Sequence, residues 1–307
     1  MKRGQSGYNG IVLIDKPYGI SSHDVVNKCR GIFGEKRIGH AGTLDPSATG
    51  LMVVLVGQAA RLSQYISAER KTYRASVAFG SATNTYDAAG ETTLELPVPQ
   101  DLYDEEFAKT KLSALVGCSM QVPPAFSAIK KDGKRAYASA RKGEMLELEP
   151  RPIEIFRVEN ISITHENNLV WTFDVEVSKG TYIRSLAHDL GISLGCASHL
   201  CSLRRLSSGN LDLSDAYTLD ELSNLDNPAS AFINPLSAFN LQVIEIDDEQ
   251  AKGFSRGLFP LAPENIQDAE KALCVTNSNL VSVVQSQHGV LRPDCVFEGG
   301  IPLVSRK

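Results

Sequence analysis

The sequence predicts a mixed α/β protein that ends in a smaller β-rich domain. Over roughly the first 238 residues, short apolar runs of strand length alternate with segments of helical spacing. From about residue 239 the chain consists of short β-like runs separated by glycine and proline. We therefore expect two domains, 1–238 and 239–307, and we find no internal repeat.

The first predicted elements surround a capped helix. Residues 10–15 are apolar and predict a strand. Ser21 or Ser22 then caps a helix that runs to about Gly34. The apolar run 51–56 indicates either a buried strand or the start of a buried helix, because a continuous run has no period to decide between them.

The middle and the end of the chain supply further elements. We expect strands at 72–79, 153–163 and 170–177, helices at 101–117 and 181–194, and short C-terminal β-runs at 241–246, 272–276 and 280–284. The strands 153–163 and 170–177 alternate polar and apolar residues, and we expect them to form a pair.

Residues 119–150 differ from these elements. They are punctuated by proline and glycine and carry Phe126 and Tyr137. Within them, residues 121–145 hold six lysines and arginines against two acidic residues. A basic segment with so few apolar side chains predicts a long loop or a mobile arm rather than part of the core.

The net charge of −5 hides an uneven distribution of charge. Residues 1–80 hold 11 lysines and arginines against 5 acidic residues, whereas residues 210–270 hold 2 against 12. An acidic segment therefore masks several basic ones, which could form one positive face that binds phosphates. Solvated charge on an average surface explains the same counts.

Several classes of protein are excluded by what the sequence lacks. No apolar stretch approaches the ~20 residues of a membrane span, and the first ten residues contain no apolar signal region, so we expect a cytoplasmic protein. The phosphate-binding, dinucleotide-binding and zinc-protease motifs are missing too. The six cysteines are scattered, so we expect no metal site. The missing motifs lead us to expect no cofactor.

The glycine-rich segment 39–50 carries the most distinctive candidate residue. Three glycines and one proline in twelve residues exclude a helix interior or a central strand. Asp45 precedes Pro46, and proline holds the residue before it in extended backbone. The loop would thus present a carboxylate rigidly, although Asp45 could simply hydrogen-bond its own turn.

Three weaker patterns combine basic and other side chains. Tyr182 and Arg184 lie where a predicted strand turns into a helix, and the planar fork of arginine suits a carboxylate or a phosphate. Residues 70–74 interleave Tyr73 with basic residues, which suits phosphate contact with base stacking. The third pattern is the pair of adjacent arginines at 204–205, which a helix with an exposed basic face explains at least as well as a functional role.

Five motifs in order along the chain resemble the TruB family of bacterial tRNA pseudouridine synthases. They are residues 15–24, 40–46, 71–73, 180–184 and 203–206. Each motif alone is weak or moderate, whereas five in the family's order are highly specific. Ser21 stands where the family often has threonine, but the hydroxyl is kept. Residues 239–307 resemble, by pattern and size, the PUA-like RNA-binding domain of many members.

The resemblance implies a pseudouridine synthase fold with a mixed, mostly antiparallel central sheet. It also implies isomerisation of uridine 55 in the T-loop of tRNA to pseudouridine, without a metal or a cofactor. The base must leave its stack to be reached, which is cheapest in a loop. We expect the tRNA T-arm as partner, no guide RNA, and a monomer.

The resemblance also assigns residues. Asp45 matches the catalytic aspartate, and Arg184 matches the arginine that pairs with it. Tyr73 matches the tyrosine that stacks on the target base and is a candidate for proton abstraction. Three others match residues around the everted nucleotide: His40, Tyr182 and Leu203.

Three alternatives remain open. A non-catalytic RNA-binding protein or tRNA-folding chaperone could use the same basic segments, but it would gain nothing from a fixed anion such as Asp45. A carboxylate-dependent nucleoside hydrolase would need a second acid or a metal. A guide-RNA-dependent pseudouridine synthase would be expected to carry extra partner-binding segments.

Overall fold

The computed structural model describes residues 6–67, 69–127, 129–131, 134–135, 146 and 148–304. Its strands are β1 (Gly10–Lys16), β2 (Ile38–Ala41), β3 (Ala48–Val56), β4 (Lys71–Phe79), β5 (Ser81–Thr83), β6 (Thr92–Glu95), β7 (Gly117–Gln121), β8 (Lys130–Lys131), β9 (Lys134–Arg135), β10 (Arg151–Thr164), β11 (Val170–Val177), β12 (Ser198–Ser208), β13 (Leu211–Asp212), β14 (Gln242–Glu245), β15 (Lys271–Val275), β16 (Asn279–Gln287) and β17 (Val290–Pro302). Its helices are α1 (Ser22–Phe33), α2 (Ser63–Ile66), α3 (Glu105–Ser113), α4 (Ile183–Ser193), α5 (Leu219–Ser223) and α6 (Asp248–Phe254). Within the ranges described, no helix is both long and apolar enough to cross a bilayer.

The chain forms two compact units. Unit 1 takes its described residues from Met1–Pro46, Gly50–Ala68 and Ser207–Lys307, and unit 2 takes them from Ser47–Thr49 and Glu69–Leu206. The C-terminal strands therefore belong to the same unit as β1 and β2. A domain boundary at residue 238 stays a prediction.

The core of unit 1 has two faces, and β1 and β3 separate them. The two strands pair antiparallel, from Gly10 opposite Val56 to Lys16 opposite Gly50. Ile11 and Leu13 of β1 pack with the C-terminal strands on one face. Val12 and Ile14 point to the other face and pack with α1. Because both faces are covered, the run 51–56 is a strand without alternation, which settles the choice that its sequence left open.

The C-terminal strands form a four-stranded sheet in the order β14-β15-β16-β17. β14 and β15 are parallel, and the other neighbouring pairs are antiparallel. The predicted β-rich C-terminal region is thus confirmed. Its sequence pattern did not indicate the long strand β17 or the helix α6, which packs its Phe254 into one face of this sheet.

Unit 2 contains five neighbouring strands in the order β12-β4-β11-β10-β7. The predicted pairing of β10 with β11 is confirmed, and β11 also pairs antiparallel with β4. Trp171 is fully buried, and its indole N–H donates to the Leu102 carbonyl at 2.9 Å. The mixed α/β class predicted from the sequence is therefore confirmed.

The predicted helix 101–117 is shorter than expected. Residues Gln100–Tyr103 form a 3₁₀ turn, and α3 begins only after Asp104. The Asp104 carboxylate accepts the Phe107 N–H at 2.7 Å, which is the usual way for an aspartate to start a helix. The N-cap Asp104 thus divides the predicted range 101–117 into a 3₁₀ turn and a helix that ends at Ser113.

Two other expectations are corrected or fall outside the description. Residues 204–205 lie on strand β12, not on a helix, and Arg205 is fully buried. The first part of the proposed arm 119–150 is strand β7, which pairs with β10. Residues 128, 132–133, 136–145 and 147 of the arm, which include Tyr137, lie outside the described residues.

Candidate active site

Asp45 lies half-buried in the loop that connects β2 to β3. These strands pair antiparallel, from Ile38 opposite Val56 to Ala41 opposite Val53. Gly42, at the start of the loop, has a φ of 95°, a backbone conformation that favours glycine. The expectation that the whole segment 39–50 is a loop is wrong, because Gly39 lies on β2 and Gly50 lies on β3, which pairs with both β1 and β2. The loop is confined to residues 42–47, and Gly42 is the one glycine within it.

Hydrogen bonds hold the Asp45 loop on both sides of the carboxylate. The buried Ser22 hydroxyl donates to the Leu44 carbonyl and accepts the Leu44 N–H, each at 2.8 Å. The Gly19 N–H donates to the Pro46 carbonyl at 2.9 Å. Ser21 is the helix cap, which leaves Ser22 free of that role. The backbone around Asp45 is thus fixed by the first residue of α1 and by the turn that precedes this helix.

Lys16 places a positive charge next to this loop. Its side chain is fully buried, and Nζ donates to the Pro17 carbonyl at 2.9 Å and to the Pro46 carbonyl at 3.4 Å. Burial lowers the pKa of Lys16, and the negative charges of Asp45 and Asp24 oppose that change. The lysine stands in the motif 15–24, but nothing in the sequence indicates that it is buried.

His40 lies on β2, half-buried, five residues before Asp45. Its carbonyl accepts the Ser63 hydroxyl at 3.1 Å, so the backbone of β2 is tied to α2. His40 and Asp45 both belong to unit 1.

Arg184 is the best-anchored of the predicted residues of unit 2. It lies in the first turn of α4, only 7% exposed. Its guanidinium donates to the Thr85 carbonyl at 3.3 Å and to the Phe126 carbonyl at 3.1 Å. It also lies 3.8 Å from a carboxylate oxygen of the buried Asp87.

Asp87 is a residue that the sequence analysis missed. Its carboxylate accepts the Thr85 hydroxyl at 2.7 Å and the Ala89 N–H at 3.1 Å. These bonds fix a carboxylate beside Arg184 in the turn between β5 and β6. The only signal was a turn-rich segment at 83–90, which did not distinguish a functional carboxylate from an ordinary turn residue.

The other three predicted residues also belong to unit 2. Tyr182 precedes α4, and Gln121 accepts its N–H at 2.8 Å and donates to its carbonyl at 3.0 Å. Tyr73 is buried on β4, opposite Val175 of β11. Leu203 is half-buried on β12. The predicted pairing of Asp45 with Arg184 joins the two units and stays a prediction.

Metal-ligating side chains do not cluster in the described part of the chain. No group of three or more His, Cys, Asp and Glu residues within it has an arrangement that could hold a metal ion. Near Tyr73, Lys71 is 8% exposed, and burial together with the positive charge of Arg205 lowers its pKa to about 8. The lowered pKa of Lys71 therefore places a lysine with a weakened hold on its proton near Tyr73.

Solved structures share this fold. A chain of the Cbf5-Nop10-Gar1 complex is similar over 96% of this chain and 87% of its own, with a TM-score of 0.72 and 22% identity. A chain of the archaeal box H/ACA sRNP Nop10-Cbf5 complex covers 94% and 86%, with a TM-score of 0.68 and 22% identity. Both chains therefore share the fold of this protein over almost its whole length.

The sequence comparisons are more specific. A profile described as TruB family pseudouridylate synthase (N terminal domain) matches residues 30–183, and one described as tRNA pseudouridylate synthase B C-terminal domain matches residues 184–238. The tRNA pseudouridine synthase B of Streptococcus gordonii is 36% identical over 94% of this chain and 99% of its own. That of Corynebacterium aurimucosum is 41% identical over 86% and 88%.

Fold and sequence together define an enzyme of the pseudouridine synthase class, an isomerase. More closely, the chain belongs to the TruB family of pseudouridylate synthases.

Proposed function

We propose that this enzyme converts uridine 55 in the T-loop of tRNA to pseudouridine, with Asp45 as the catalytic carboxylate. Relatives that match most of the chain carry the name tRNA pseudouridine synthase B, which supports tRNA as the substrate. The observation that carries the proposal is the loop around Asp45. It combines the family motif at 40–46 with a backbone fixed on both sides of the carboxylate.

The reaction sets clear requirements. The N1–C1′ bond of the uridine breaks, the base rotates, and C5 bonds to C1′. The C5 proton must then leave and a proton must return to N1. A carboxylate can attack C1′ or the base, or can stabilise positive charge that develops on the sugar. Each of these routes needs an ionised and rigidly held Asp45, and each leaves the isomerisation free of redox change.

The other candidate residues have roles that fit these requirements. Arg184 would pair with Asp45 and orient it, since its guanidinium is itself anchored by Asp87. Tyr73 would stack on the everted base and is a candidate for removing the proton. The lining of the nucleotide pocket would come from His40, Tyr182 and Leu203.

The test uses the purified protein alone with an unmodified tRNA transcript, followed by mapping of pseudouridine. We expect modification at position 55 and at no other position. A transcript with cytidine at position 55 should stay unmodified. Modification elsewhere, or only after addition of a second RNA, would refute the proposed specificity.

A single substitution separates an enzyme from an RNA-binding protein. We expect Asp45→Asn to abolish turnover and to leave the dissociation constant for tRNA within a few fold, because an anion contributes nothing to binding phosphates. Asp226→Asn, which neutralises an exposed carboxylate, serves as the matched control and should stay active. Pseudouridine formation by Asp45→Asn above a no-enzyme sample would rule out the catalytic role.

A further inference from the structure

Unit 1 contains a cavity of about 440 Å³ whose polar lining is entirely cationic. The lining residues are Arg30, Lys36, Arg37, Ile38 and Ala60. Two of these are apolar, three are positively charged, and none is a carboxylate. Such a lining suits an anion that carries several acceptor oxygens.

The turn that carries Lys36 and Arg37 is held by hydrogen bonds to a buried carboxylate and to a neighbouring strand end. Helix α1 ends at Gly34, which has a φ of 58°. Glu35 is fully buried, and its carboxylate accepts the Arg37 N–H at 2.7 Å and the Ser6 hydroxyl at 3.0 Å. The Arg37 carbonyl in turn accepts the Gly57 N–H at 2.8 Å. The backbone of Lys36 and Arg37 beside the cavity is therefore fixed by hydrogen bonds that need no ligand.

Arg30 brings an unused donor to the same cavity. One of its terminal nitrogens donates to the Asn27 side chain at 2.8 Å. Its Nε is buried and has no acceptor among the residues that the structure describes. A cation in the last turn of a helix stabilises the helix dipole, which explains the presence of Arg30 but not the convergence of three cations.

A second cavity, of about 840 Å³, shares Arg37 and extends along unit 1 towards the C-terminal sheet. It adds Arg61 and Lys252, but Asp248 and Glu298 line it as well. The positive charge is therefore concentrated at the smaller cavity, and the larger one is the more neutral continuation of the same surface.

We propose that the smaller cavity binds a backbone phosphate of the RNA substrate, at a nucleotide several positions away from the one that is modified. Arg37 directly precedes β2, whose four residues span about 13 Å, and the Asp45 loop follows β2. One RNA strand can therefore reach both places. The inference rests on the proposed function only in taking the phosphate to be part of that RNA.

The test measures binding of an unmodified tRNA transcript over a series of KCl concentrations. Lys36→Glu is the test variant because Lys36 is exposed, so the substitution leaves the core intact. Lys28→Glu is the matched control, since Lys28 is exposed on α1 and does not line the cavity.

We expect Lys36→Glu to weaken binding about tenfold or more at low salt and to reduce the slope of log affinity against log salt by about one. Lys28→Glu should change both quantities much less. The single-turnover rate of Lys36→Glu at saturating enzyme should match that of the wild type. The triple variant Arg30→Gln, Lys36→Gln, Arg37→Gln should lower the slope further.

Three results would overturn the inference. They are a salt slope for Lys36→Glu equal to that of Lys28→Glu, an unchanged slope for the triple variant, and a collapse of the single-turnover rate of Lys36→Glu at saturation. Failure of the proposed function would look different, because the wild-type enzyme would then bind the transcript without forming pseudouridine.

Discussion

At the scale of single residues, Arg184 is held by directional bonds to oxygen atoms. Its guanidinium contacts two backbone carbonyls and one carboxylate, and the side chain is almost completely buried. A planar fork can bond to separate acceptors at once, whereas an ammonium group is a compact point charge. The identity of the cation at this position should therefore matter as much as its charge.

We predict that Arg184→Lys lowers the single-turnover rate about 10- to 100-fold. A buried acceptor left without its donor costs about 1–3 kcal/mol, which is about 5- to 160-fold in rate and brackets the predicted loss. The measurement is pseudouridine formation at saturating enzyme, with the exposed Arg256→Lys as the control. A rate near that of the wild type would show that the geometry of the fork is unimportant.

Lys71 connects burial to the pH dependence of stability. Its pKa is about 8 in the folded chain, mainly because of burial, against an ordinary value of 10.5. Below pH 8 both states carry the proton, and the folded state bears the full cost of a buried charge. Between pH 8 and 10.5 the unfolded chain binds more protons, so the free energy of unfolding rises with pH.

We therefore predict that Lys71→Met is more stable than the wild type at pH 7 and that its advantage shrinks as the pH rises from 8 to 10.5. Urea unfolding at pH 7 and pH 10.5 measures the difference. The exposed Lys28→Met controls for loss of a lysine elsewhere. An advantage that stayed constant over this range would contradict the lowered pKa.

At the scale of elements, the turn between β5 and β6 depends on α4. Tyr86 has a φ of 63°, which is uncommon for a residue other than glycine. Its ring stacks on His188 at 3.9 Å between centroids and 9° between planes. His188 lies one helical turn after Arg184, so one face of α4 supports both the turn and the ion pair with Asp87.

We predict that His188→Ala lowers the free energy of unfolding by about 0.5–1.5 kcal/mol through loss of the stack. It should also slow the single-turnover step, because the turn that holds Asp87 loses its support. His165→Ala is the control, since His165 is exposed and contacts Tyr103 only edge-on at 6.2 Å. Equal losses of stability in both variants would argue against a specific role for the stack.

Local chemistry explains which elements the sequence could predict. The Asp45 loop was predictable because glycine and proline act on their own backbone. The contact of Ser22 with Leu44 joins residues 22 positions apart, and that of Arg184 with Thr85 joins residues 99 apart. No local pattern carries such pairings, so the partners of the candidate residues were not predictable.

Burial was the other quantity that local patterns failed to give. Arg205 and Lys16 are fully buried although both are charged, and the segment around Arg205 suited an exposed helix equally well. In a strand, successive side chains alternate between the two faces, so β12 turns Arg205 to the opposite face from Arg204. Two adjacent arginines thus meet different surroundings.

At the scale of the whole molecule, net charge is a poor guide to the partner. The chain carries a formal charge of −5, yet its first 80 residues hold 11 basic against 5 acidic residues. We predict that tRNA binding weakens steeply with salt, with a log–log slope that reflects several neutralised phosphates. A filter-binding series over KCl concentration measures it. A flat dependence would mean that the basic segments do not act together.

The discontinuous make-up of unit 1 has a consequence for synthesis on the ribosome. Unit 2 is complete once residue 206 has emerged, whereas the hydrophobic core around β1 also needs strands β16 and β17. At 5–20 residues per second, translation of the remaining ~100 residues takes about 5–20 s. For that interval the face of β1 and β3 that packs on the C-terminal strands stays uncovered, although the two strands can already pair with each other. They are therefore the part of the chain that most needs protection from aggregation during translation.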